Sequence, residues 1–105
     1  MIKVSLFYDG DNIKGFSILG HAGYAEAGSD IICSAVSMLA INTINSIEKL
    51  TEDGFTYQEE EQKGAMELSM KEYGPQSQLL LKAFELGVYS VEEQYGKKYI
   101  KVRKE

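Results

Sequence analysis

From Ile2 to Tyr8 the chain alternates apolar and polar residues, with Ile2, Val4, Leu6 and Tyr8 on one side. That is the period of a half-buried strand. Asp9-Gly10-Asp11-Asn12 is a turn cluster, so the β-branched and aromatic run Ile13 to Leu19 returns antiparallel as a hairpin. A loop of small residues, 22–29, follows. Ser29 or Asp30 then offers a side-chain oxygen to the first amides of a helix running from Ile31 to about Leu50. Val36, Ala40, Ile44 and Ile47 form its apolar stripe, and Ile31, Ile32 and Leu39 widen it beyond that of a surface helix. Such a helix packs on two sides: against a sheet, and against a second helix or a partner subunit.

Phe55 to Glu61 and Ala65 to Lys71 read as two more strands, joined around Lys63-Gly64. Pro75 sits where a helix can begin, because its missing amide has no intrahelical partner there. Leu80, Phe84, Val88 and Val91 recur at helical spacing between Leu79 and Gln94, and Gly96 marks the end. Gly87 inside this helix costs about 1 kcal/mol relative to Ala. Tyr99 to Val102 is a short last strand. The expectation is an α+β fold, a mainly antiparallel sheet with two helices, in the order strand-strand-helix-strand-strand-helix-strand, with residues 1–105 as a single domain.

Composition narrows the function classes. The chain has 105 residues, one Cys, one His and one Pro, and a formal net charge of −5. One Cys cannot close an internal disulfide, which excludes a stapled secreted mini-protein and fits a reducing cytoplasm. The acidity argues against direct nucleic-acid binding. No stretch reaches the ~20 apolar residues of a membrane helix, and the opening residues form no secretory core. One Cys and one His supply too few soft ligands for a zinc shell, so neither metal nor cofactor is expected.

The two rare residues stand only 12 positions apart. His21 follows Gly20 at the end of the second strand, and Cys33 lies in the first turn of the long helix. A loop folding back would bring them together. The partial positive charge of the helix start and a nearby imidazole favour a thiolate, and free helix-start amides could hold an oxyanion. Those are the parts of cysteine-dependent acyl transfer. The alternative is structural: a free Cys often packs as a small hydrophobe. Tyr24 and the two glycines of the loop suggest a lid over a bound peptide, or simply a solvated connection; Gly28 can serve only to turn the chain into the helix. Glu59-Glu60-Glu61 reads as a solvated strand end, or as an attraction for a basic substrate.

Gly20-His21-Ala22, followed by Gly28-Ser29-Asp30-Ile31-Ile32-Cys33-Ser34-Ala35-Val36-Ser37, resembles the signature of the ribosomal-processing cysteine protease family, Prp. This chain departs at Ile32, where Val is usual, and at Ser34, where Ala is usual. The resemblance extends through the opening hairpin, Gly74-Pro75, and the closing Gln94 to Ile100. It implies a cysteine endopeptidase that removes the N-terminal extension of large-subunit ribosomal protein number twenty-seven during ribosome maturation. By position, Cys33 would be the nucleophile and His21 the general base and then acid. Asp30 would cap the helix or orient the site, Ser37 would touch substrate, and Gly20, Gly28 and Tyr24 would support them. The family resemblance also implies a homodimer. The competing expectation is a non-catalytic ribosome-associated binding module in which Cys33 only packs.

Overall fold

The computed structural model describes residues 1–25 and 30–105. The first alternation becomes β1 (Ile2–Asp9), which turns at Gly10 into β2 (Asn12–Leu19). The long apolar segment is α1 (Ile31–Leu50), followed by β3 (Phe55–Glu60), β4 (Ala65–Met70), α2 (Pro75–Tyr95) and β5 (Ile100–Lys104). A short 3-10 turn, Glu61–Lys63, joins β3 to β4. The element order is the expected one, with α2 starting at Pro75 and β5 running two residues further into the basic tail.

The strands form one sheet in the order β3-β4-β2-β1-β5. The β1–β2, β2–β4 and β3–β4 pairs are antiparallel, while β5 runs parallel to β1, with Ile2 beside Ile100 and Val4 beside Val102. Crossing back through α2 is what allows that parallel pairing. Alternation sends Val4, Leu6, Phe16, Leu68 and Ile100 into the core, whereas Lys3, Glu67 and Lys101 on the opposite face are exposed. Both helices contribute to the same core, through Ile32, Val36 and Ile47 of α1 and Leu81, Phe84 and Val88 of α2. The Phe16 and Phe84 rings stack there at 4.3 Å.

The breadth of α1's apolar surface has a partial explanation. One side lies on the sheet side of the core, and another meets α2 where a Cβ on Gly87 would stand 2.9 Å from Leu39 Cδ2. Close helix approach thus accounts for a glycine that weakens α2. Ile31, expected in the buried stripe, is instead half exposed, as are Met38 and Ile41. By length and composition alone α1 is long and apolar enough to cross a membrane, contrary to the sequence expectation. Here it is a packed helix, with Ile32, Val36, Ala40, Thr43, Ile44 and Ile47 buried.

One buried polar side chain fixes the hairpin against α2. The β1–β2 register slips between Phe7 and Tyr8. At that point Ile13 N–H donates to Gln78 Oε1 at 2.7 Å, and Gln78 Nε2 donates to the Ile13 carbonyl at 2.8 Å. The amide imitates a neighbouring strand where none exists. Gln78→Leu keeps the bulk but orphans two buried backbone groups, and is expected to lower unfolding free energy by about 2–4 kcal/mol. Urea denaturation measures this, and an unchanged midpoint would contradict the assignment.

Candidate active site

The path from β2 to α1 brings several of the singled-out residues together. Gly20, with φ of +98°, bends the chain out of β2, and its N–H donates to the Gly64 carbonyl at 3.2 Å. His21 follows, exposed, and Ala22 turns back into the core. The Ala22 N–H donates to Cys33 Sγ at 3.3 Å. Along α1, Cys33, Val36, Ser37 and Ile41 share one face, as helical spacing requires. That face and His21 line a cavity of about 270 Å³, together with Glu59, Glu61 and Met66.

Asp30 is not a cavity residue. It is the N-cap of α1, buried, with Oδ1 accepting from Ile32 N–H and Cys33 N–H, both at 3.0 Å. Its Oδ2 accepts from Tyr24 N–H at 3.2 Å, so the same carboxylate also fastens the loop. Tyr24 packs edge-on against Tyr99 at 5.2 Å and Tyr95 at 6.0 Å, at the far end of α2 rather than over the cavity. Gly28 and the rest of residues 26–29, on which part of the lid expectation falls, lie outside the described residues.

Two electrostatic expectations are corrected. The helix-start amides of Ile32 and Cys33 are not free for an oxyanion, because Asp30 occupies both. Nor is the thiol pushed toward thiolate: burial raises the Cys33 pKa, the Ala22 amide opposes that, and the negative Asp30 adds to the rise. A carboxylate at the cap neutralises the very dipole that would have favoured a thiolate. Burial works against ionised Asp30 as well. The Cys33 amide, the Tyr24 amide, the Cys33 thiol and the Ile32 amide outweigh it and hold the carboxyl below its ordinary value.

His21 and Cys33 line one cavity without a hydrogen bond between them; Sγ accepts from the Ala22 amide. Cys33 is half-buried and packs against the core, which is the feature its structural reading also requires. Three contributors were not singled out as site residues from the sequence. Glu59 and Glu61 belong to a run read mainly as solvated, and Gly64 to a turn. Only pairing of β3 with β4, and of Gly64 with Gly20, brings them to the cavity.

The family model of the cysteine protease Prp matches residues 1–101. No curated protein matches the chain. Among solved structures, the essential ribosomal processing protease Prp from S. aureus, in complex with a covalently linked product peptide, aligns over 100% of both chains with a TM-score of 0.95 and 22% identity. The same protease with a substrate peptide gives a TM-score of 0.89 at 22% identity, again over 100% of both chains. A Streptococcus mutans protein of 28% identity gives 0.86 over 99% of this chain and 93% of that one.

The cap makes a pH-dependent prediction. Asp30→Ala is expected to cost about 1–2 kcal/mol at neutral pH. Because the folded carboxyl sits below its ordinary value of about 4, the stabilisation is complete above that value and is lost as pH falls through the lowered one. Wild type and variant should therefore converge in acid. Asp30→Asn should also shift the pH midpoint of Cys33 alkylation downward; an upward shift would contradict the role given to the carboxylate.

Proposed function

Because the chain belongs to the cysteine protease Prp family, we propose that it is an endopeptidase that removes the N-terminal extension of large-subunit ribosomal protein number twenty-seven, using Cys33 as nucleophile and His21 as general base. What supports this reading is that both side chains line one cavity, in a chain holding no other Cys or His.

The chemistry follows from those two groups. The imidazole takes the thiol proton as Sγ attacks the scissile carbonyl carbon, forming a tetrahedral adduct. On collapse the C–N bond breaks, and the imidazolium gives its proton to the leaving amine. The extension is left on Cys33 as a thioester. Water, deprotonated by the imidazole, then releases it as a carboxylate and restores the thiol. Burial and Asp30 favour the thiol form against the Ala22 amide that donates to Sγ, so the first proton transfer requires His21 to close on Sγ, a step that binding of substrate would drive. Ser37, one turn beyond Cys33 on the same wall, is assigned a substrate contact. Asp30 acts by holding the helix start and loop.

The product and substrate complexes described for the S. aureus protease make a peptide occupant of this cavity the natural assignment. The exposed Ile31, Met38 and Ile41 of α1 offer a surface for the homodimer the family resemblance implies, and a free thiol suits a cytoplasmic location. The half-buried setting of Cys33 favours one competing reading, a ribosome-associated module in which the residue only packs.

Incubation with the extended ribosomal protein, followed by mass spectrometry, separates the two. Wild type should shorten the protein, Cys33→Ala should leave it intact, and His21→Ala should slow cleavage by about 10²–10⁴-fold. Undiminished cleavage by Cys33→Ala would overturn the proposal, and binding without any cleavage by wild type would favour the module.

A further inference from the structure

Sequence alone gives Gly64 the task of reversing the chain between β3 and β4. Its surroundings give it another. Gly64 closes the Glu61–Lys63 turn in the left-handed conformation, φ +59°, with its N–H donating to the Glu61 carbonyl at 3.0 Å. Its own carbonyl accepts from Gly20 N–H at 3.2 Å, which ties the turn to the residue just before His21. A Cβ on Gly64 would lie 2.6 Å from the Gly20 carbonyl oxygen and 3.0 Å from His21 Cε1. The first contact is with backbone, so it cannot be relieved by turning a side chain aside. Either the strand end carrying His21 or the turn itself must move.

Gly10 provides an internal comparison. It adopts nearly the same backbone, φ +61°, yet a Cβ there meets nothing within 4 Å. A left-handed φ alone therefore does not distinguish the two glycines; the proximity to His21 does.

We propose that Gly64 is a positioning residue for His21. Its missing side chain lets the β3–β4 turn seat against Gly20 and the imidazole edge, fixing where the ring stands on the wall of the cavity. This rests on the assignment of His21 as general base. Gly64, though on the wall of the same cavity, acts through that ring and carries no group that takes part in the reaction.

The test compares Gly64→Ala with Gly10→Ala, which carries the same backbone penalty. Since the chain has one His, its Cε1–H signal in a carbon–proton NMR spectrum is unique and reports ring position whether or not the protein cleaves anything. Gly64→Ala should shift that signal and lower kcat on the order of 10–100-fold, with KM changed less than kcat. Gly10→Ala should leave the signal and kcat as in wild type, even with a comparable loss of thermal stability. Gly64→Asn tolerates the left-handed backbone but retains the Cβ. It should behave as Gly64→Ala in both measurements, and it serves in its place if that variant folds poorly. An unmoved His21 signal in the Gly64 variants overturns the inference, as does a moved signal with unchanged kcat. Unchanged cleavage by His21→Ala would instead break the assignment beneath it, a separate and distinguishable failure.

Discussion

The carboxylate of Asp30 is the constraint on which this site depends. It closes the open end of α1 by taking the amides of Ile32 and Cys33, and its second oxygen takes the amide of Tyr24. One buried side chain therefore sets both the helix that carries the thiol and the loop that returns from His21. The loop then places the Ala22 amide on Cys33 Sγ. Helix capping in this protein is a local stabilisation and, through the loop, a means of building the site.

The same arrangement works against ionisation of the thiol. Burial raises the Cys33 pKa, and Asp30 contributes to the rise despite the opposing Ala22 amide. A nucleophile at a helix start is ordinarily helped by the exposed amides there, but these amides already face a carboxylate. A thiol kept protonated at rest is resistant to adventitious oxidation and alkylation, because those reactions go through the thiolate. Under the proposed mechanism activation falls to His21, whose strand end is braced by the β3–β4 turn. Glu59 and Glu61 also line the cavity and add negative charge there, which under the proposed function suits a basic protein substrate.

The hairpin and α1 were legible from alternation and helical period, because each buries one face in the ordinary way. Asp30 was legible as a possible cap, since the residue type and its place before an apolar run carry that information. The parallel direction of β5 was not, because alternation is the same in either direction. The occupancy of the helix-start amides was hidden for a different reason: a side chain that caps and a side chain that leaves amides free occur in the same sequence pattern. Gly87 and Gly64 looked like a flaw and a turn. Their significance lies in contacts with Leu39 and with Gly20-His21, which are distant in sequence and become neighbours only when the layers assemble. Gln78 is similar, a polar residue on an apolar helix whose partner is the backbone of Ile13.

On the proposed mechanism the Cys33 sulfur becomes covalently attached to the substrate's N-terminal segment. Rapid acid quenching during turnover, followed by peptide mapping of the enzyme, tests it directly. A thioester is expected on the peptide containing Cys33, with the added mass of the removed extension. An enzyme that processes its substrate while Cys33 stays unmodified at every time point, even when deacylation is slowed, would contradict it.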